Sequence, residues 1–437
     1  MTSATLAERT PATRDRYVDL LRVVSLGAVI AGHWLMAVPS PTGDGITNVL
    51  ALLPGLQPVT WLLQVMPLFF LVGGFGHARG IASAERRGEG YADFVRARVV
   101  RLVRPAGVFL GVWFGLALAA GLAGQDAGIV RLALRTVVQP LWFLGVYLAL
   151  IALAPVMLRL HRRFGAWVPV ALLGAAAVVD ALRWQGHAGP AVANLLLVWA
   201  AVHQLGYFYA DGVLARHARW LAASGLGALL LLTVAGPYPL SMVGVPGDTM
   251  SNMSPPTIAL AAHALWLTGL AMLLRGPATR LLARARVWRV VVAANGLAMT
   301  AFLWHLSAAF VLFLIFRTGL GGVPGTATWW ATRPLWLGAA ALITAASVAV
   351  FRRFDTPTPL SSAPGRPLPA AVGVTLCAIG MLAVSAAGFG GILSGHAARL
   401  LGIPVSAPLA LAILALGVVL VTVRVPARAP VPVVRAE

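Results

Sequence analysis

The 437-residue chain has one cysteine, Cys377, set inside an apolar run. That excludes a disulfide framework and a thiolate metal site, and leaves an inert buried thiol as the expectation. Lysine is absent: all 33 basic residues are arginine, against 13 acidic ones. There is no His-Glu-x-x-His, no Cys/His cluster and no carboxylate cluster, so no protein-bound metal is expected. No Walker A loop and no Gly-x-Ser-x-Gly elbow occurs. The first sixteen residues are polar and the apolar segment after them lacks a small-residue cleavage site, so a cleavable signal peptide is not expected. No loop is long enough to bury a core of its own, and no internal repeat stands out.

Hydrophobic sequence fills the chain instead. Hydrophobic residues make up 59% and charged residues 11%, with a mean hydropathy of +0.85. Apolar runs long enough to cross a ~30 Å hydrocarbon layer recur throughout. Twelve candidate membrane helices fall at 17–38, 59–79, 104–124, 140–159, 165–182, 190–210, 217–235, 257–275, 290–316, 331–350, 370–393 and 407–424, which predicts an all-α integral membrane protein. The net charge of +20 is that of a nucleic-acid binder, but no basic stretch is interleaved with aromatics in a soluble segment, so no nucleic-acid partner is expected.

The arginines cluster in alternate loops. They crowd the N-terminal tail, the loops after helices 2, 4, 8 and 10, and the C-terminal tail, whereas the loops after helices 1 and 7 carry only Asp44 and Asp248 as charges. By the positive-inside rule both termini are cytoplasmic. The expected organisation is a cytoplasmic tail (1–16), a ten-helix domain (17–355), a Pro-rich linker (356–369), two further helices packed peripherally (370–424) and a cytoplasmic tail (425–437). Exclusive use of arginine points to a GC-rich bacterial genome, and the setting to a bacterial cytoplasmic (inner) membrane.

Against this background polar residues within helices stand out. Arg22 and His33 are eleven residues apart, which returns a helix to nearly the same face about 16 Å further along. Asp19 lies one turn before Arg22, near that face. Burying such groups in hydrocarbon costs several kcal/mol each unless they face a protein interior or a watery cavity. His305 sits sixteen residues beyond Arg289 in an outward-running helix, the offset from Tyr17 to His33, so both histidines are predicted at similar depth. A neutral imidazole there can serve as general base toward a hydroxyl; the alternative is a histidine bonded to a neighbouring helix. Arg98, Arg101 and Arg104 recur every third residue before Pro105 and either grip an anionic cofactor or serve topology and lipid headgroups. Phe69, Phe70 and Gly74, in Pro67-Leu-Phe-Phe-Leu-Val-Gly-Gly-Phe75, either line a tunnel or pack helices. His77, His203 and His263 read as satisfied core or interface histidines, and Asp180 as solvated near the outer face.

Together these features resemble acyltransferase family 3. Its opening Asp-x-x-Arg-(ten residues)-His matches Asp19, Arg22 and His33. Its Phe-Phe-x-x-Ser-Gly-Phe resembles Phe69-Phe70-Leu-Val-Gly-Gly74-Phe75, with Gly73 where serine is usual. Its Arg-x-x-Arg-Leu followed by Pro matches Arg98, Arg101, Leu102 and Pro105; Trp142-Phe143-Leu144 and Gly296 through Leu303-Trp304-His305 complete the order. The resemblance covers about residues 14–355 and implies a ten-helix enzyme that transfers an acyl group from acyl-CoA to a hydroxyl of an extracytoplasmic acceptor: a glycan, glycolipid or secondary metabolite. It implies His33 as base, with Asp19, Arg22 and His305 assisting. Arg98, Arg101, Arg104, Phe69, Phe70 and Gly74 would contact the donor, acetyl-CoA in the simplest case. The competing reading is a twelve-helix proton-coupled transporter or exporter, in which the same His and Arg form a proton relay.

Overall fold

The computed structural model describes residues 7–423 except 9, 12, 41–44, 316–321 and 356–364. Arg9, Asp44, Arg424, the 425–437 tail and most of the expected linker lie outside the described residues. Twelve helices carry the fold: α1 Arg16–Met36, α2 Met66–Arg86, α3 Tyr91–Leu122, α4 Trp142–Phe164, α5 Trp167–Trp184, α6 Asn194–Ala210, α7 Ala218–Leu230, α8 Ile258–Leu282, α9 Ala285–Ile315, α10 Ala327–Phe351, α11 Pro367–Ala387 and α12 Ala407–Thr422. Among the described residues, eleven helical segments are long and apolar enough to cross a membrane. The twelfth, α12, has 16 residues and spans about 24 Å. Among the described residues, two short antiparallel hairpins are the sheet content: Ala37–Pro39 with Ile46–Asn48, and Ala397–Leu400 with Ile403–Ser406. The protein is an all-α multi-pass membrane protein.

Several helices run past their expected ends. α3 begins at Tyr91 rather than 104 and passes through Pro105 without a break. At 32 residues it is about 48 Å long, so its arginines ride on a helix and not in a loop. α9 likewise begins at Ala285, and α2 continues to Arg86. Hydropathy marks only the part of a helix that meets lipid; helix-forming polar residues extend it beyond. α11 ends earlier than expected, at Ala387, where Gly388 turns the chain with φ 62°.

Helices α2 and α6 pack closely, as do α7 with α8 and α11 with α12. α1 lies against α9 and α2, and α9 against α10. The expectation that the last two helices pack peripherally does not hold for α11. It lies along α4 and α3, and its Cys377, Met381 and Val384 are fully buried in the main apolar core. Small residues explain the depth: Gly373 and Gly380 let α12 approach its backbone.

Asp180 on α5 is also placed differently from expectation. It is 1% exposed and accepts from Asn194 Nδ2 (2.8 Å), Tyr238 Oη (3.1 Å) and the Ile258 backbone N–H (2.9 Å). One carboxylate thus joins α5, the start of α6, the loop before α8 and the first turn of α8, where the helix dipole favours it. Asp180→Ala leaves those donors unmatched, and a loss of about 3 kcal/mol follows. Thermal unfolding in detergent would register it; an unchanged melting temperature would contradict this placement.

Candidate active site

α1 carries the first half of the site. Asp15 caps it by accepting from the Tyr17 and Val18 N–H groups, and its other oxygen accepts from Tyr209 Oη at 2.7 Å. The N-terminus of α1 is thereby tied to α6. One turn on, Asp19 is buried and accepts from Arg14 through two bonds, Nε at 2.6 Å and Nη2 at 3.0 Å. Asn295 Nδ2 of α9 adds a third at 3.1 Å. Arg22, expected as the partner of Asp19, stands 3.8 Å away. The forked fit to Arg14 takes the carboxylate and raises the Arg14 pKa above its ordinary value. Arg22 thus keeps only a looser ion pair with Asp19 and also meets other neighbours.

Two of those neighbours are cationic. The charges of Arg22, Arg98 and Arg101 all bear on the hydroxyl of Tyr147 of α4, so three guanidinium groups from α1 and α3 converge at the arginine-rich end of the bundle. Arg98 lies over the Phe94 ring at 3.8 Å and against α2 at Gly80, where a Cβ would fall 1.6 Å from its Nη2. Arg101 stays exposed to solvent. Arg104 departs from the expected trio. Rotated 60° further round α3, it lines a groove toward α12.

Asp355, just beyond α10, is the acid facing Arg101. One of its oxygens accepts from the Thr300 hydroxyl and, at 3.2 Å, from the Thr300 N–H. The other is buried with no hydrogen-bond partner among the described residues. Burial pushes the Asp355 carboxyl above its usual range, opposed by the two Thr300 bonds and by Arg101. The only sequence signal for it is an acid closing the basic run Arg352-Arg353-Phe354-Asp355.

His33 and His305 meet. His33 Nδ1 lies 2.8 Å from His305 Nε2, with ring centroids 5.0 Å apart and planes within 16°. His305 Nδ1 is 2.5 Å from the Phe302 carbonyl oxygen. A carbonyl only accepts, so in the neutral pair His305 Nδ1 holds its proton and Nε2 must accept. His33 Nδ1 then donates, and the lone pair is left on His33 Nε2. His305 is fully buried, and His33 only half so. The Trp34 indole N–H donates to the His305 carbonyl at 2.8 Å, and that of Trp336 to the Trp34 carbonyl at 2.9 Å. These bonds lock α1, α9 and α10 around the imidazole pair.

The expected aromatic and glycine contacts divide. Phe69 is partly buried and meets Phe143 (4.8 Å) and Tyr147 (5.9 Å) edge-on. Phe70 is instead wholly buried and stacked on Trp199 at 4.3 Å, and Gly74 lies at the α2–α6 crossing, where a Cβ would sit 2.0 Å from the His203 carbonyl oxygen. Phe70 also meets Phe143 at 5.3 Å and Tyr147 at 6.4 Å, while Gly74 serves the helix crossing. At Gly73 a Cβ would fall 3.2 Å from Tyr147 Oη, so the tyrosine occupies the space a serine there would use. A second imidazole pair also appears, His77 Nδ1 to His203 Nε2 at 2.9 Å. The sequence reads both as core or interface histidines and does not show that they pair between α2 and α6.

A family profile described as an acyltransferase domain covers residues 15–352, from the start of α1 to the end of α10. No curated protein and no solved structure matches the chain. Every group of the site but Arg14 and Asp355 lies inside the matched region, and the chain belongs to acyltransferase family 3, as a membrane acyltransferase.

Proposed function

We propose that the protein transfers an acyl group from acyl-CoA to a hydroxyl of an acceptor reaching the far side of the bilayer. The observation that carries this reading is the His33–His305 pair, joined by unbroken α1 to the arginine cluster about 16 Å below it. Three guanidinium groups repel one another unless an anion joins them, and the phosphates of CoA are suited to it. Asp355 is the competing anion, and its unpaired oxygen is suited to an amide N–H of the pantetheine arm. With the nucleotide at Arg98 and Arg101, that arm runs past Arg22 and Thr300 toward His33.

His33 Nε2 then takes the proton of the acceptor hydroxyl as its oxygen attacks the thioester carbonyl. The tetrahedral adduct collapses by breaking the C–S bond, and the departing thiolate recovers the proton from the His33 imidazolium. His305 holds His33 in the reactive tautomer. A thioester is already activated, so a base and positioning suffice. A glycan hydroxyl of the cell envelope is the simplest acceptor, and acetyl the simplest acyl group. Proton-coupled transport is disfavoured because it gives no reason for a membrane acyltransferase domain.

The donor half is tested without knowing the acceptor. CoA at about a hundred times its Kd stabilises a binding protein by about 2.7 kcal/mol. Native protein gains that stabilisation on adding CoA, whereas Arg22→Gln/Arg101→Gln loses most of it and keeps its unliganded melting temperature. Equal stabilisation of the two proteins would overturn the assignment of the donor site.

A further inference from the structure

The addition of α12 to the acyltransferase domain creates a feature that transfer does not use. α12 follows the matched region and reaches α3, and between them runs an apolar groove of about 770 Å³. Gly107 and Gly111 of α3 form its floor, with open space where their Cβ atoms would be. Phe114, Leu411 and Val418 are among its walls, and Arg104 and Thr422 are its polar lining. Because α3 is about 48 Å long and the hydrocarbon about 30 Å, roughly its first dozen residues protrude. Arg104 therefore stands at the level of the lipid headgroups on the arginine-rich side. From there to Phe114 the groove descends about 15 Å, the depth of one leaflet.

We propose that this groove is a binding site for one anionic phospholipid, with an acyl chain over Gly107 and Gly111 and the phosphate at Arg104. The aliphatic lining fits a methylene chain, and the bare glycine surface lets it lie against the helix backbone. Arginine at the interface pairs with phosphate through charge-assisted bonds. The anionic charge supplies the selectivity, since a zwitterionic lipid fills the same groove without a net attraction to Arg104. The occupant is thus one leaflet lipid, held where the added hairpin meets the domain.

Native mass spectrometry of the full chain tests this, using protein released from nanodiscs of phosphatidylcholine with phosphatidylglycerol in equal parts. Native protein retains one phosphatidylglycerol in preference to phosphatidylcholine. Arg104→Gln removes the preference, and Gly111→Leu, whose Cβ enters open space, removes the retained lipid at an unchanged melting temperature. Gly107→Leu serves in its place if Gly111→Leu fails to fold. Equal retention of the two lipids by native protein, or undiminished retention in the leucine variant, overturns the proposal. So does a dimer that Gly111→Leu dissociates, which assigns the groove to a second copy. A rise in bound phosphatidylglycerol on deleting 424–437 assigns it to the chain's own tail, and overturns the proposal as well.

Discussion

A His33→Ala variant is expected to insert and fold as the native protein does and to lose acyl transfer by about 10²–10⁴-fold, the range for removing a general base. In the neutral pair, and among the described residues, only His33 Nε2 is left with a lone pair to use, because His305 uses Nδ1 on the Phe302 carbonyl and Nε2 on His33. Removing His305 has a graded result. His305→Gln keeps an amide oxygen able to accept from His33 Nδ1 and retains part of the rate, whereas His305→Ala frees the tautomer and loses more. The variants are compared by CoA release from acetyl-CoA in membranes containing the cell's own envelope carbohydrate. CoA release by His33→Ala at the native rate would remove His33 from the chemistry.

The second large effect concerns folding. Gly74→Val and Gly206→Val are expected to abolish the folded protein in detergent. A Cβ on Gly74 would lie 2.0 Å from the His203 carbonyl oxygen, and one on Gly206 would lie 2.1 Å from that of Leu71. Both clashes are with backbone, so no side chain can turn aside, and the cost exceeds the usual 1–3 kcal/mol of overpacking. α2 carries Phe70, His77 and Gly80 into the site region, so separating α2 from α6 disorders both. Gly76→Ala, two residues from Gly74, meets nothing within 4 Å and should stay within about 0.5 kcal/mol of native stability. Size-exclusion profiles and melting temperatures separate the outcomes. A Gly74→Val protein that melts like the native one would show that the crossing is looser than described.

What could be read from the sequence follows from what membranes demand. A helix in lipid must be apolar for about twenty residues, so the spans stand out, and arginine placement orders them. Intramembrane His and Arg stand out for the same reason, which is why His33 and His305 were legible at matching depth. Contacts between helices were not. Asp19 pairs with Arg22 at 3.8 Å as expected, but its hydrogen-bonded partner is Arg14, whose guanidinium fork meets the carboxylate squarely, while an i+3 neighbour on the same helix meets it obliquely. Periodicity put Arg104 with Arg98 and Arg101, yet 60° of rotation per step carries it to another face. Gly74 looked equally fit for a tunnel or a crossing until α6 was in place. The burial of α11 was hidden because a peripheral helix and a central one are both apolar in lipid.

The central claim is a line for acyl transfer that starts at the arginines and ends at His33. Vesicles of cytoplasmic-side-out orientation, loaded with envelope polysaccharide and given ¹⁴C-acetyl-CoA outside, test it most directly. Ester-linked label should accumulate on the enclosed polysaccharide as CoA appears outside, with neither seen for His33→Ala. Label entering the lumen without CoA release, or acylation only when acetyl-CoA is supplied from the luminal face, would contradict it.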